Sequence, residues 1–232
     1  EGEGPLCKQF VKKLGQDGWM GIGWPKEYGG QGRSSIDQYI FFDLALGYYH
    51  IPIPMLALMT VGPTIMRVGT EEQKKRVLPA ILKGECVIAI GYTEPEAGTD
   101  LMSLKTTAIR DGDHYVINGQ KTFISNGICS DLVIVAAKTD PKADPPHAGV
   151  SLIVVEGDTP GFNRGRKLEK MGMHAQDTAE LHFEDCRVPV ANLLGSEGAG
   201  FIFMMQKLQQ ERLVLAVAAA ASAEAVMQIT EQ

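Results

Sequence analysis

The hydrophobic period of this chain changes twice, and that change limits its architecture more than any single motif does. Near the N-terminus, apolar residues recur at helical spacing, as in Leu6, Phe10, Val11 and Leu14. That interval of three to four residues stacks side chains on one helix face. From about residue 86 the texture becomes short apolar runs and strict alternation. Segments 86–91, 131–137 and 150–155 are compact strand candidates, and Ala179, Leu181 and Phe183 alternate with Glu180, His182 and Glu184. Alternation of that kind is how a half-buried strand reads. From Ala199 the helical period returns and persists to the end.

The order of helices, strands and a long helix predicts an α+β fold. An N-terminal helical domain, expected to be incomplete, covers 1–85, a middle β domain 86–195, and the first helix of a C-terminal helical bundle 196–232. Strands that follow one another with no helix between them favour an antiparallel, barrel-like sheet over βαβ crossovers. No GxGxxG element follows a strand, so a classical dinucleotide crevice is not supported.

Local signals refine this outline. Trp24-Pro25 through Tyr28-Gly29-Gly30 reads as a rigid turn, and Pro52 and Pro54 bracket a second break, because proline fixes one backbone angle and glycine frees two. Thr70 and Gln73 have the spacing of a capping box that starts a helix running towards Leu82. Asp111-Gly112 between segments 106–109 and 115–117 is a hairpin signal. Segment 141–146 is a polar, proline-rich loop.

The charge balance narrows the partners. With 22 basic and 28 acidic side chains the net charge is −6, which gives no reason to expect nucleic acid. No uninterrupted run of 18 apolar residues is present, and the richest stretch, 213–226, is broken by Ser222 and Glu224; no stable membrane span is expected. The cysteines at 7, 86, 129 and 186 match neither a zinc pattern nor a disulfide framework, which suits a reducing compartment. His182 and Glu184 share a strand face without a third ligand, so no metal site is expected. The chain starts at Glu1 and ends without a helix stop signal near Gln232, the expectation for a fragment or a processed chain.

Three places carry candidate chemistry. At about 100° per residue, Met204, Leu208, Leu215, Ala218 and Ser222 fall on one stripe of the last helix, with Glu211 inside it and Arg212 on its flank. A carboxylate on an apolar face is costly unless it is paired. Burial disfavours its charged form and a neighbouring guanidinium favours it, a balance that suits a general base. A structural ion pair satisfies the same spacing. The loop 93–100 has hydroxyls and Gly98 after a strand; its amides could gather around an anion, or it could be a capped turn. In segment 120–127, Phe123 and Ser125 share a side if the backbone is extended. That places a ring surface beside a hydroxyl, which suits a flat polar heterocycle or an ordinary sheet edge.

Taken together, these segments resemble the acyl-CoA dehydrogenase family. Tyr92-Thr93-Glu94-Pro95 with Gly98-Thr99-Asp100 is similar to its first signature, and Asn118 through Gly127 to its second flavin-contacting segment. Gly69 to Lys74, Met171-Gly172 through Thr178, Phe183-Glu184-Asp185, Val188-Pro189 and Gly195 to Gly200 match in the same order. The similarity runs from about Trp19 to Gln232 and is strongest to the long-chain branch, in Gly165 to Leu168, Lys170 to Gly172, Ala175 to Glu180 and Gln210 to Leu213. The resemblance implies FAD as cofactor, and Glu211 as the base that takes the α proton of a fatty acyl-CoA, with Arg212 tuning it. It implies backbone contacts from Tyr92, a hydrogen bond from Thr93 to the isoalloxazine edge, and Gly98 and Thr99 on the pyrophosphate. Phe123 would pack on the ring and Ser125 would lie near N5; many relatives carry tryptophan and threonine at those two places. It further implies an electron-transfer flavoprotein as partner, a homodimer or homotetramer, and a mitochondrial matrix or bacterial cytoplasm. An isovaleryl-type enzyme shares the helix position of the base. A related oxidase and a flavin-free scaffold are the other readings.

Overall fold

The computed structural model describes residues 4–231. Its helical part begins with α1 (Pro5–Gln16), whose inward side is Cys7 with Val11 and Leu14; Leu6 and Phe10 from the expected stripe are exposed. A 3₁₀ turn, Lys26–Tyr28, closes on Gly29 at φ 88, in the segment read as a rigid turn. Helix α2 (Ser35–Phe42) widens into a π-helical segment, Asp43–Tyr48. A second π-helical segment, Leu56–Val61, runs into α3 (Gly62–Val68).

Helix α4 (Glu71–Leu82) starts at the expected capping box, with the Thr70 hydroxyl accepting from the Gln73 amide and the Gln73 side chain accepting from the Thr70 amide. Gln73 does more than cap. It is buried, and its Nε2 donates to the Ala191 and Leu193 carbonyls, so the start of α4 is tied to the end of the sheet.

The middle of the chain is one sheet of eight strands: β1 (Ile88–Gly91), β2 (Thr107–Asp111), β3 (His114–Ser125), β4 (Leu132–Lys138), β5 (Val150–Glu156), β6 (Phe162–Lys167), β7 (Thr178–Pro189) and β8 (Leu193–Leu194). The order is β6-β7-β3-β2-β4-β5-β8, with β1 beside β4. The hairpin at Asp111-Gly112 forms as expected, pairing Asp111 with His114. The antiparallel expectation needs correction, because β1 runs parallel to β4 and β2 meets β4 in parallel at Thr107 and Lys138. The chain leaves β1 through segment 92–106 to β2, and reaches β4 only after β3 has reversed it and segment 126–131 has reversed it again. The path ends at β6 and β8, which do not pair with each other among the described residues. Strand β6 was not anticipated: its residues alternate poorly, and only Phe162 is buried.

The compact runs are buried on both faces. On β4, Val133, Val135 and Ala137 enter one core while Ile134 and Ala136 enter another; on β5, Ile153 and Val155 separate in the same way from Val150, Leu152 and Val154. Period-two geometry sends alternate side chains to opposite faces. One face closes over Tyr115, Ile117, Leu181 and Phe183 within the sheet. The other receives the helices through Trp24, Leu58, Ile65, Leu78 and Ile81.

Helix α5 (Gly200–Thr230) ends the described chain. It docks on the first π-helical segment, where Ser222 donates to the Gly47 carbonyl and Tyr48 to Gln228. A Cβ at Gly47 would come within 2.2 Å of the Ala221 Cβ. Sequence inspection expected no membrane span, yet α5 is long and apolar enough to cross a membrane by length and composition. Alanines count as apolar without forming a continuous greasy run.

Candidate functional site

The loop after β1 is braced from below by a buried ion pair. Glu94 turns the chain back through two backbone bonds with Ala97, 2.8 and 3.2 Å. Its carboxylate accepts from the Lys105 amide at 2.6 Å, the Thr106 amide at 3.0 Å and Lys121 Nζ at 2.8 Å. Lys121 Nζ also donates to the Tyr92 carbonyl at 3.0 Å. Lys121 and Glu94 are 1% and 6% exposed, so neither charge reaches water. Burial alone would raise Glu94, but the Lys121 charge and the surrounding hydrogen bonds hold it below the ordinary glutamate range. Burial pulls Lys121 down to about 8 despite Glu94. The pair is therefore ionised at neutral pH. Both residues stood in the motifs, but their pairing across 27 positions has no local signal.

Above this brace lie the two segments singled out in the sequence. They are adjacent, since the Thr122 amide donates to the Thr93 carbonyl at 3.0 Å. Segment 120–125 belongs to β3, and a bulge interrupts it: the register with β7 shifts between Lys121 and Ile124. At the bulge Phe123 takes φ 57 and is 68% exposed. A non-glycine residue at positive φ and a large apolar ring left in the open both cost free energy, and such features gather at functional sites. Ser125, half-buried, follows beside Thr178. Asn126, at φ 63, donates its Nδ2 to the Ile88 carbonyl at 3.0 Å. Asp177 is buried and accepts the Ile128 and Cys129 amides at 3.1 and 3.0 Å.

The tip of the loop is open. Gly98 and Thr99 are exposed, and among the described residues neither amide donates a hydrogen bond within the chain. A Cβ placed on Gly98 would meet nothing nearer than Thr93 Cγ2 at 3.9 Å. Free amides beside a hydroxyl-bearing strand fit an anion. An exposed ring with Thr93 and Ser125 on neighbouring segments fits a flat heterocycle. The residues present thus suit a nucleotide carrying an aromatic ring system, the donor set FAD requires.

Glu211 stands on the inward side of α5 and is half-buried. The Thr60 hydroxyl, from the second π-helical segment, donates to its Oε1 at 2.7 Å. Tyr92, which opens the loop, has its phenol pushed up by burial and then by the Glu211 charge. Lys207, one turn earlier, is pulled down by burial and by Arg67, and Glu211 resists that fall. The structure therefore brings Tyr92 and Glu211 into one neighbourhood, and adds Thr60 and Lys207, which sequence reasoning missed.

One expectation about α5 is corrected. Leu215 is 69% exposed and Val214 packs inward in its place; the inward side of the C-terminal half is set by the buried Ala221 and Ala225, which share a side with Val214, about 100° round the helix from Leu215. Arg212 is exposed and makes no hydrogen bond or ion pair with Glu211 among the described residues. Consecutive residues on a helix do not face each other.

Comparison with known proteins gives matches along the whole chain. Residues 1–85 match the acyl-CoA dehydrogenase N-terminal domain and residues 89–186 the acyl-CoA dehydrogenase middle domain. The chain is 45% identical over 212 residues to acyl-CoA dehydrogenase FadE29 of Mycobacterium tuberculosis, covering 91% of this chain and 54% of that protein. It is 42% identical over 232 residues to the mouse mitochondrial long-chain specific acyl-CoA dehydrogenase, covering 99% and 54%. A crystal structure of an acyl-CoA dehydrogenase from Geobacillus kaustophilus superposes with a TM-score of 0.90 at 51% identity, over 97% of this chain and 60% of that one. The chain thus spans about half the length of the curated relatives it matches.

Proposed function

Because the chain belongs to the acyl-CoA dehydrogenase family, carrying its N-terminal and middle domains, we propose that it houses the flavin-facing wall and the catalytic base of an enzyme that converts a fatty acyl-CoA to its trans-2-enoyl-CoA. The observation that carries this reading is the half-buried Glu211 carboxylate, held at 2.7 Å by Thr60 and electrostatically coupled to Tyr92 at the start of the braced loop. A carboxylate in that setting is poised to accept a proton without being locked in a salt bridge.

In this reading the Phe123 ring lies against the isoalloxazine, the Thr93 and Ser125 hydroxyls address its polar edge and N5 region, Tyr92 adds backbone contacts, and the free amides of Gly98 and Thr99 receive the pyrophosphate. When bound, FAD supplies the two-electron acceptor for the hydride leaving the β carbon. Glu211 takes the proton from the α carbon, and the electron pair left behind forms the new double bond. Apolar residues of the same helix, Met204 and Val214 among them, pack into the core on its inward side and limit water on that face. Arg212 acts on the base only through its charge, one position along the helix. Residues 1–85, 86–195 and 196–232 are taken as the working units.

The same reading assigns an electron-transfer flavoprotein as the acceptor of the reducing equivalents and a homodimer or homotetramer as the assembly. The exposed side of α5 then packs on protein rather than lipid, in a matrix or bacterial cytoplasm. An isovaleryl-type substrate fits the same base position, and turnover across acyl chain lengths separates the two.

Replacement of Glu211 by Gln keeps the volume and removes the base. In the flavin-loaded protein it is expected to lower turnover of a saturated acyl-CoA by about 10³-fold, within the range for a lost general base. Turnover within threefold of the parent would overturn the assignment.

A further inference from the structure

We propose that Thr60 is a positioning residue for the base: its hydroxyl fixes one oxygen of Glu211 and so aims the other at the reacting carbon. The inference rests on Glu211 as the base and extends it to a residue on another element. Thr60 is 4% exposed and its Oγ1 donates to Glu211 Oε1 at 2.7 Å across 151 positions of sequence. The hydroxyl has no competing solvent, so the bond is not one of several interchangeable surface contacts.

The backbone around Thr60 explains why the hydroxyl arrives there. Leu56–Val61 is π-helical and its residues from Ala57 on are buried. A π turn adds a residue to each turn and re-aims the side chains that follow it, a device that recurs at functional sites. The Thr64 hydroxyl donates to the Thr60 carbonyl at 2.7 Å, securing the backbone at the point of re-aiming. Glu211 keeps its second oxygen without a hydrogen bond among the described residues. Thr60 thus engages one oxygen, and the other remains available to accept a proton.

Arg212 is the next residue along α5 and is exposed; the other charged and titratable groups around Glu211 come from three further places. Tyr92 faces it from the loop after β1, Lys207 lies one turn back on α5, and Arg67 on α3 reaches it through Lys207. None of these donates a hydrogen bond to the carboxylate. Thr60 is the donor, and a hydrogen bond to a carboxylate oxygen fixes the orientation of the group.

The test compares Thr60→Val, Thr60→Ser and Glu211→Gln. In the flavin-loaded enzyme Thr60→Val is expected to lower kcat for a saturated acyl-CoA by about tenfold while KM stays within about twofold, because a misaimed base slows the chemical step without weakening substrate binding. Thr60→Ser, which keeps the hydroxyl, is expected to restore the parent kcat. A merely structural role would lower Tm and leave kcat of the folded enzyme at the parent value, and that result overturns the proposal. If Thr60→Val does not fold, Thr60→Ala gives the same readout with a smaller side chain. Loss of turnover in Glu211→Gln with parent kcat in Thr60→Val keeps the base and sinks its positioning by Thr60, whereas near-normal turnover in Glu211→Gln removes the base reading itself.

Discussion

Strand β5 and helix α5 are both rich in apolar residues, yet the chain treats them in opposite ways. Six of the seven β5 residues are buried, alternately into two cores. Four of the 31 residues of α5 are buried, and only 11% of its most apolar 18-residue window. The same contrast holds for their neighbouring charges. Lys121 and Glu94, in the sheet region, are sealed and multiply hydrogen-bonded. Glu211, on α5, is half-buried with one hydrogen-bond donor among the described residues. A sealed, multiply bonded pair can hold a loop in place but cannot exchange protons easily with a ligand. A carboxylate with one oxygen engaged and one open can. Position relative to water, more than residue type, therefore separates the brace from the base.

The most damaging way to break this contrast is to unseal the brace. Lys121→Met keeps the length of the side chain but leaves Glu94 buried with only the Lys105 and Thr106 amides. Removing one member of a buried pair costs about 3–5 kcal/mol, so chemical denaturation should show a loss of that size. Lys121→Met with Glu94→Gln should recover part of it, because no uncompensated charge then remains. If Lys121→Met alone costs under about 1 kcal/mol, the brace reading fails and the pair is no different from the exposed Lys105–Glu96 pair, whose type contributes little.

The same pair makes a smaller, signed prediction in pH. Lys121 sits near 8 in the folded chain against an ordinary 10.5. Between those values the unfolded chain binds the proton more tightly than the folded one, so stability rises with pH over that window. Glu94, held below its ordinary value of 4.5, contributes stability that is present above that value and is lost as pH falls through the folded one. Denaturation from pH 8 to 10 should show the rise in the parent and its absence in Lys121→Met. An equal slope in both would show that other groups cause it.

What could be read from the sequence follows from how local each cause is. The capping box at Thr70 and the hairpin at Asp111-Gly112 are set by residues three or fewer positions apart, and both formed as expected. The runs on β4 and β5 announced strands because burial on both faces demands continuous apolar residues. The parallel pairing of β1 and β2 with β4 depends on how long connections fold back, which no short window encodes. The bulge at Phe123 is similar: the ring and the hydroxyl of Ser125 were visible, but the shift that exposes the ring arises from register against β7. Glu211 stood out as a charge on an apolar stripe. Thr60 did not, since a threonine in an apolar helix is unremarked until its partner 151 positions away is in place.

The smallest effect addresses the helix face itself. On α5 the expected stripe passed through Leu215, whereas the structure turns Val214 inward and leaves Leu215 69% exposed. Within this chain, Leu215→Ala should change stability by no more than about 0.5 kcal/mol, as surface substitutions do. Val214→Ala removes less volume but from a packed position, and should cost about 1 kcal/mol. Side-chain size alone predicts the reverse order, so the two variants measured together by thermal unfolding discriminate cleanly. If Leu215→Ala proves the more harmful, α5 is rotated relative to the placement described, Glu211 turns with it, and its contact with Thr60 cannot hold. A surface substitution with almost no effect thus constrains the orientation on which the chemistry of this helix depends.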